Sequence, residues 1–286
     1  MSNNKKIDNI FVVGLGLIGA SLCRSLKRLN EFQNIYGYDK NEKVSEIAFQ
    51  EKYIDKIVEN IVDGIEKSDL IIFCVPVSEI ENCLYHSKSF FDTEKIFTDT
   101  LSAKGKIIRY FLDNSLNDIN NFIYSHPMAG TENFGIKNSK DDLFTGSTSI
   151  ICSMKNSSNE SFEVVKKFWE IIGCKTTKIE IDFHDEIIAV ASHLPHIISF
   201  SLSKKINHLD FGIKYPWVHE KGSLADMLRI SRSDPVAWAN IFLSNKKYIS
   251  KFLNDYIEEL KLLDSNINSD NIDNLISLLK QSNSNN

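Results

Sequence analysis

The sequence predicts an α/β fold, with an N-terminal doubly wound sheet followed by an all-helical region. Three observations carry that expectation. Short apolar runs alternate with helical patterns from residue 8 to about residue 180. The run Phe11-Val12-Val13 leads directly into Gly14-Leu15-Gly16-Leu17-Ile18-Gly19, a spacing that turns a strand into a helix. After residue 180 the strand pattern stops, and long helical apolar series replace it.

The elements follow in order. Residues 8–13 form a strand, and Ile18, Ser21, Leu22, Ser25, Leu26 and Leu29 then recur at helical spacing. Asn34 to Tyr38 is the next strand, with Asp39 at its carboxyl end, and 41–50 is helical. Leu70 to Val75 is a continuous apolar run, as expected of a central strand covered on both faces, and it stops at Pro76. Helix 78–90, strand 95–99, helix 103–112 and strand 121–125 follow. Strand 146–152, helix 160–172 and strand 176–180 complete the alternation. Beyond it, 182–206 and 236–263 read as two long helices. Pro195 should kink the first, and Ser233-Asp234-Pro235 starts the second. A short helix covers 272–280. The expected division is 1–180 and 181–286.

Composition narrows the function. The 286 residues carry a net charge of −5, so no basic field favours nucleic acid. The polar start Met1-Ser2-Asn3-Asn4-Lys5-Lys6 has no signal-peptide core, and no run is apolar enough to span a membrane. The five scattered cysteines read as free thiols of a reducing cytoplasm, without metal spacing.

The glycine run is a dinucleotide-binding pattern of the Rossmann type. Gly14 allows the tight turn, Gly16 admits a pyrophosphate close to the backbone, and Gly19 lets helix and sheet approach. The amides of Leu15, Leu17 and Ile18 lie at the helix start, where donors and dipole favour phosphate. Asp39 stands where a carboxylate accepts both adenosine ribose hydroxyls and repels an added phosphate, which points to NAD; Lys40 is a candidate counter-charge for NADP. Val75 and Pro76 end a central strand and are expected to flank the nicotinamide side.

Two histidine clusters supply the other half of a site. His126, in Ser125-His126-Pro127-Met128-Ala129-Gly130, is expected in a loop at the ligand-binding edge. His193 and His196, in Ser192-His193-Leu194-Pro195-His196, lie three apart on one helix face. Each also reads as an ordinary hydrogen-bonded helix histidine. Zinc is not expected, because no tight ligand motif is present.

Taken with Gly14 to Leu22, these two motifs resemble the prephenate dehydrogenase family, which includes arogenate and cyclohexadienyl dehydrogenases. The likeness spans nearly the whole chain. It implies oxidative decarboxylation of prephenate, or of arogenate, with NAD or NADP, and a homodimer formed through the helical domain. By resemblance, His126 takes the proton of the ring hydroxyl, and Ser102 hydrogen-bonds that hydroxyl and orients His126. Arg229 takes the ring carboxylate, and His196 binds the side-chain carboxylate or keto group. His193 supports the pocket, while Thr131 and Glu132 line its mouth. Lys104 is expected to face solvent or phosphate, and Ser102 reads equally as a helix-start residue. Trp238 is expected to pack near the pocket.

The segment Lys221 to Arg229 departs from the family pattern, with Leu228 where a threonine is common. That weakens any substrate choice carried over from the family; NAD-dependent oxidation of prephenate is expected, with arogenate or dual specificity as the alternative. A β-hydroxyacid dehydrogenase or imine reductase of similar plan would need its own catalytic lysine or open helical cleft. A non-catalytic NAD-sensing dimer would not need Ser102, His126 and Arg229 together.

Overall fold

The computed structural model describes residues 6–116, 118–130, 133–207, 222–269 and 271–281. Eight strands form one sheet in the order β3-β2-β1-β4-β5-β6-β7-β8. They are β1 (Asn9–Val13), β2 (Asn34–Tyr38), β3 (Lys56–Ile57), β4 (Leu70–Phe73), β5 (Ile96–Asp99), β6 (Phe122–Pro127), β7 (Thr148–Ser153) and β8 (Lys175–Glu180). The first six run parallel, β7 pairs antiparallel with β6, and β8 runs parallel to β7. The order of β1 to β6 is that of a doubly wound dinucleotide-binding sheet, as the sequence predicts.

Strand alternation divides the core into two layers. Phe11 and Val13 face the layer built with α3 (Ile61–Glu66), α4 (Ile80–Ser87) and α5 (Gly105–Asp113). Ile10 and Val12 face the opposite layer, with α1 (Leu17–Leu29), α2 (Glu42–Gln50) and α6 (Asn159–Ile172). Phe73, Phe91, Phe97, Phe111, Phe122 and Tyr124 interlock in the first layer, with edge-on pairs such as Phe91–Phe111 at 5.5 Å. Each such ring removes enough apolar surface from water to contribute roughly 1.5–3 kcal/mol.

Local signals set the helix ends. Asn41 caps α2, Asn60 caps α3 and Ser158 caps α6, each accepting a hydrogen bond from a backbone N–H of the first turn. Asn30 and Gly173 close α1 and α6 in left-handed conformation.

The helical region begins at α7 (Ile181–Ile188), directly after β8. Pro195 does not simply kink the long helix expected over 182–206. A π-helical stretch, Ala189–His193, separates α7 from α8 (Leu194–Asn207). A proline ring clashes with the carbonyl one turn back, and widening the helix is one way to accommodate it. α9 (Ser223–Ile230) follows.

The single helix expected over 236–263 is two helices, α10 (Pro235–Ser244) and α11 (Lys246–Asn268). Asn245 separates them. Its side chain is buried and donates to the Asp185 carbonyl (2.6 Å), a tertiary bond that apolar spacing cannot reveal. α12 (Ile272–Gln281) ends the described chain.

Candidate active site

The strand order reverses between β1 and β4, so a crevice opens beyond their carboxyl ends. It encloses about 570 Å³. Gly14 makes the turn at φ +89°, and a Cβ there would stand 2.6 Å from the Cys74 carbonyl oxygen. A Cβ on Gly19 would stand 1.9 Å from the Gly14 carbonyl oxygen, so α1 starts close against the turn only because this residue is glycine. Gly16 is the reverse case. No atom lies within 4 Å of its hypothetical Cβ, which leaves open space where a pyrophosphate would meet the helix start.

Asp39 stands at the end of β2 on the wall of this crevice. It accepts from Leu15 N–H (2.8 Å) and Asn41 N–H (2.9 Å), which fix the carboxylate and leave lone pairs for further donors. Lys40, beside it, is paired with Glu79 across the crevice at 2.7 Å.

His126 and Ser102 line the same crevice at its other end. His126 is not in a loop. It lies in β6, opposite Ile150 of β7, and only 7% of its surface is exposed. The antiparallel addition of β7 extends β6 past its parallel partner and carries the histidine with it.

His126 Nδ1 lies 3.1 Å from His184 Nε2, and His184 Nδ1 lies 2.8 Å from Asp185 Oδ1. Asp185 also accepts from the backbone N–H of Lys104 (2.8 Å) and of Gly105 (2.9 Å), so it clamps the start of α5. Burial pushes the Asp185 carboxyl up, but the His184 and Lys104 contacts outweigh it and leave it below the usual range. Burial drives His126 well below the ordinary histidine value, aided by His184, Lys104 and His193, so the ring is neutral at pH 7.

Lys104 does not face solvent or phosphate. It is fully buried, ion-paired with Asp99, and donates to the carbonyls of Leu101 (2.7 Å) and Ser125 (2.6 Å). The Ser125 carbonyl is one peptide from His126, so this ammonium holds the strand that carries the histidine.

His193 and His196 form a second group around Trp238. His196 stacks on its ring at 3.5 Å between centroids, and His193 meets it edge-on at 6.0 Å. Asn245 donates to His193 Nδ1 (3.1 Å), and burial lowers this histidine to about 4. His196 Nδ1 donates to the Ser192 carbonyl (2.9 Å), so its neutral ring offers a bare Nε2. Burial lowers His196 too, and the charge of Arg229 adds to that.

Residues 22–178 match the family described as prephenate dehydrogenase, nucleotide-binding domain, and residues 181–281 match prephenate dehydrogenase, dimerization domain. The chain belongs to the prephenate dehydrogenase family. It is 30% identical to a cyclohexadienyl dehydrogenase of Zymomonas mobilis over 96% of this chain and 93% of that protein. A solved prephenate dehydrogenase from A. aeolicus, in complex with hydroxyphenyl propionate and NAD+, superposes with a TM-score of 0.86 at 30% identity, covering 98% of both chains. An arogenate dehydrogenase of Synechocystis gives a TM-score of 0.75 at 26% identity, over 96% of this chain and 97% of the other.

Within this member of the prephenate dehydrogenase family, the fold gathers Gly14, Gly16, Leu17, Ile18, Asp39, Val75, Pro76, Ser102 and His126 on one crevice. The Leu15 side chain is in the core, and Gly19 is a packing contact. His193, His196 and Arg229 do not line that crevice within one chain. Arg229 is exposed on α9. Thr131 and Glu132 lie outside the described residues.

Sequence reasoning missed His184, Asp185, Asp99 and Asn245. His184-Asp185 sits in an amphipathic helical run and reads there as a polar face. Only the packing of α7 against the start of α5 makes it part of the site.

Proposed function

We propose that this chain is an NAD-dependent prephenate dehydrogenase, forming 4-hydroxyphenylpyruvate and carbon dioxide. One observation carries the reading: a buried, neutral histidine shares a continuous crevice with a glycine turn and ribose-binding carboxylate. Gly14 and Gly16 admit the pyrophosphate, the start of α1 offers its amides, and Asp39 takes the ribose hydroxyls. Bound NAD supplies the hydride acceptor. His126 takes the proton of the ring hydroxyl, and Ser102 holds that hydroxyl in place. Loss of the ring carboxylate completes the aromatic ring and makes the reaction effectively irreversible.

The same reading gives Arg229 the ring carboxylate, with His196, His193, Thr131 and Glu132 around the substrate. It assigns residues 1–180 to the cofactor and 181–286 to substrate binding and homodimer formation. The match to a dimerization domain and the apolar residues exposed on α11 and α12 support a homodimer. Five free cysteines, four of them buried, suit a reducing cytoplasm. Among the described residues no helix is long and apolar enough to cross a membrane.

The test is turnover by the purified protein of prephenate and of arogenate, each with NAD and NADP. Turnover of prephenate with NAD is expected. A strong preference for arogenate would replace the substrate alone, and failure on both substrates with both cofactors would reject the function. His126→Asn is expected to lower kcat chiefly, by roughly 10²- to 10⁴-fold.

A further inference from the structure

We propose that His184 and Asp185 are positioning residues for His126, fixing the tautomer that carries its proton on Nδ1 and leaves Nε2 bare. The assignment follows from counting hydrogens along a buried chain. Asp185 Oδ1 already accepts from Lys104 N–H, and Oδ2 accepts from Gly105 N–H. This ionised carboxylate can only accept, so its 2.8 Å contact is made by an N–H on His184 Nδ1.

A neutral imidazole has one N–H, so His184 Nε2 is an acceptor. The 3.1 Å contact to His126 then needs its hydrogen from His126 Nδ1. Nε2 is the ring nitrogen left to meet a substrate in the crevice. Were His184 protonated, it would donate to His126 Nδ1, and His126 would turn an N–H toward the crevice, the wrong form for a base. Burial opposes that by lowering the pKa of His184, although Asp185 raises it in part.

The other charged and titratable groups around the two rings are Lys104, Asp99 and His193. Lys104 is paired with Asp99, which opposes its effect on His184, while at His126 the ammonium adds to burial in favouring the neutral ring. His193, held near 4, is neutral over the working range. Asp185 is therefore the anion that acts along the chain of imidazoles. When a hydroxyl proton arrives on Nε2, the positive charge of His126 is held by Nδ1–H···His184, itself anchored by Nδ1–H···Asp185. The proton stays on His126, and Asp185 stays a carboxylate throughout. Which proton arrives rests on the function proposed above; the tautomer does not.

Two measurements test the inference. Imidazole ¹⁵N NMR of the ligand-free protein, assigned with His126→Asn and His184→Gln, is expected to show both histidines as Nδ1–H with bare Nε2. An Nε2–H form of His126 at pH 7 to 8 would overturn it.

In turnover, Asp185→Asn is expected to lower kcat by roughly 10²-fold with KM for both substrates within about threefold. The acid limb of its kcat profile should move to lower pH, because the imidazolium loses its anion. His184→Phe keeps the ring volume and removes the acceptor, and should show the same loss. His184→Gln places a carbonyl oxygen where Nε2 stands and should retain more activity than His184→Phe.

Unchanged kcat and an unmoved acid limb in folded Asp185→Asn and His184→Phe would overturn the proposal. If those variants do not fold, the wild-type NMR result decides. Wild-type protein inert on prephenate and arogenate would defeat the functional reading and leave the tautomer measurement to judge this one.

Discussion

Lys104 places all three ammonium hydrogens inside the protein, on Asp99, the Leu101 carbonyl and the Ser125 carbonyl. Its sequence context, Ser102-Ala103-Lys104-Gly105, looks like an ordinary helix start, and nothing in that spacing distinguishes an inward lysine from an outward one. Lys104→Met would leave a buried carboxylate unpaired, and a loss of about 3–5 kcal/mol is expected in urea unfolding. Adding Asp99→Asn should recover part of it, because the uncompensated charge is then gone. The Lys40–Glu79 pair makes a second prediction at this scale. Both side chains line the crevice beside Asp39, and Glu79 occupies the ammonium that could otherwise meet a ribose phosphate. Glu79→Gln should lower KM for NADP several-fold and leave KM for NAD nearly unchanged, as read by initial rates with each cofactor.

The start of α5 meets the end of α10 at Gly105, where a Cβ would stand 2.7 Å from the Ser244 carbonyl oxygen. Backbone cannot yield as a side-chain tip can, so Gly105→Ala must separate the two elements. Their separation also strains the Asp185 clamp on Lys104 and Gly105. The expected outcome is a loss of roughly 1–3 kcal/mol in stability and a lower kcat, with NAD affinity by fluorescence titration retained. Most elements were legible because their own residues dictate them. The glycine run and Asp234-Pro235 each act within one turn. β3 was not legible, since two residues carry no periodicity and Lys56-Ile57 is strand only by pairing with Tyr36 and Gly37. The break at Asn245 was hidden because the apolar series runs on through it.

At the scale of the whole molecule, four histidines are held below their ordinary value chiefly by burial: His126, His184, His193 and His196. As pH falls through 6.5, the unfolded chain takes protons on these rings and the folded chain does not. Stability therefore falls with pH through this window, by on the order of 3 kcal/mol for His193 alone by the time pH reaches about 4. Asp99, whose carboxyl burial pushes up, offsets a part of this at the acid end. Urea midpoints at pH 7.5, 6, 5 and 4 should decline in that order. The assembled molecule also leaves Leu260, Leu262, Ile272, Ile276 and Leu279 exposed on α11 and α12. Ile276→Glu with Leu279→Glu is expected to shift a dimer toward monomer in sedimentation, with the far-ultraviolet spectrum unchanged.

The sequence by itself determined the doubly wound sheet, the glycine turn, the acidic residue at the end of β2 and the family. These are legible because residue type and spacing within short runs mark each element and motif, and the alternation of strand and helix then restricts how the strands can pair. Tertiary structure alone decided what stands behind His126. His184 and Asp185 lie 58 and 59 positions away along the chain, and they reach it only because the helical region packs its first helix against the start of α5. Burial there keeps the imidazoles neutral, contacts with His184 and Lys104 keep Asp185 ionised, and both are properties of the packed molecule that no local spacing encodes.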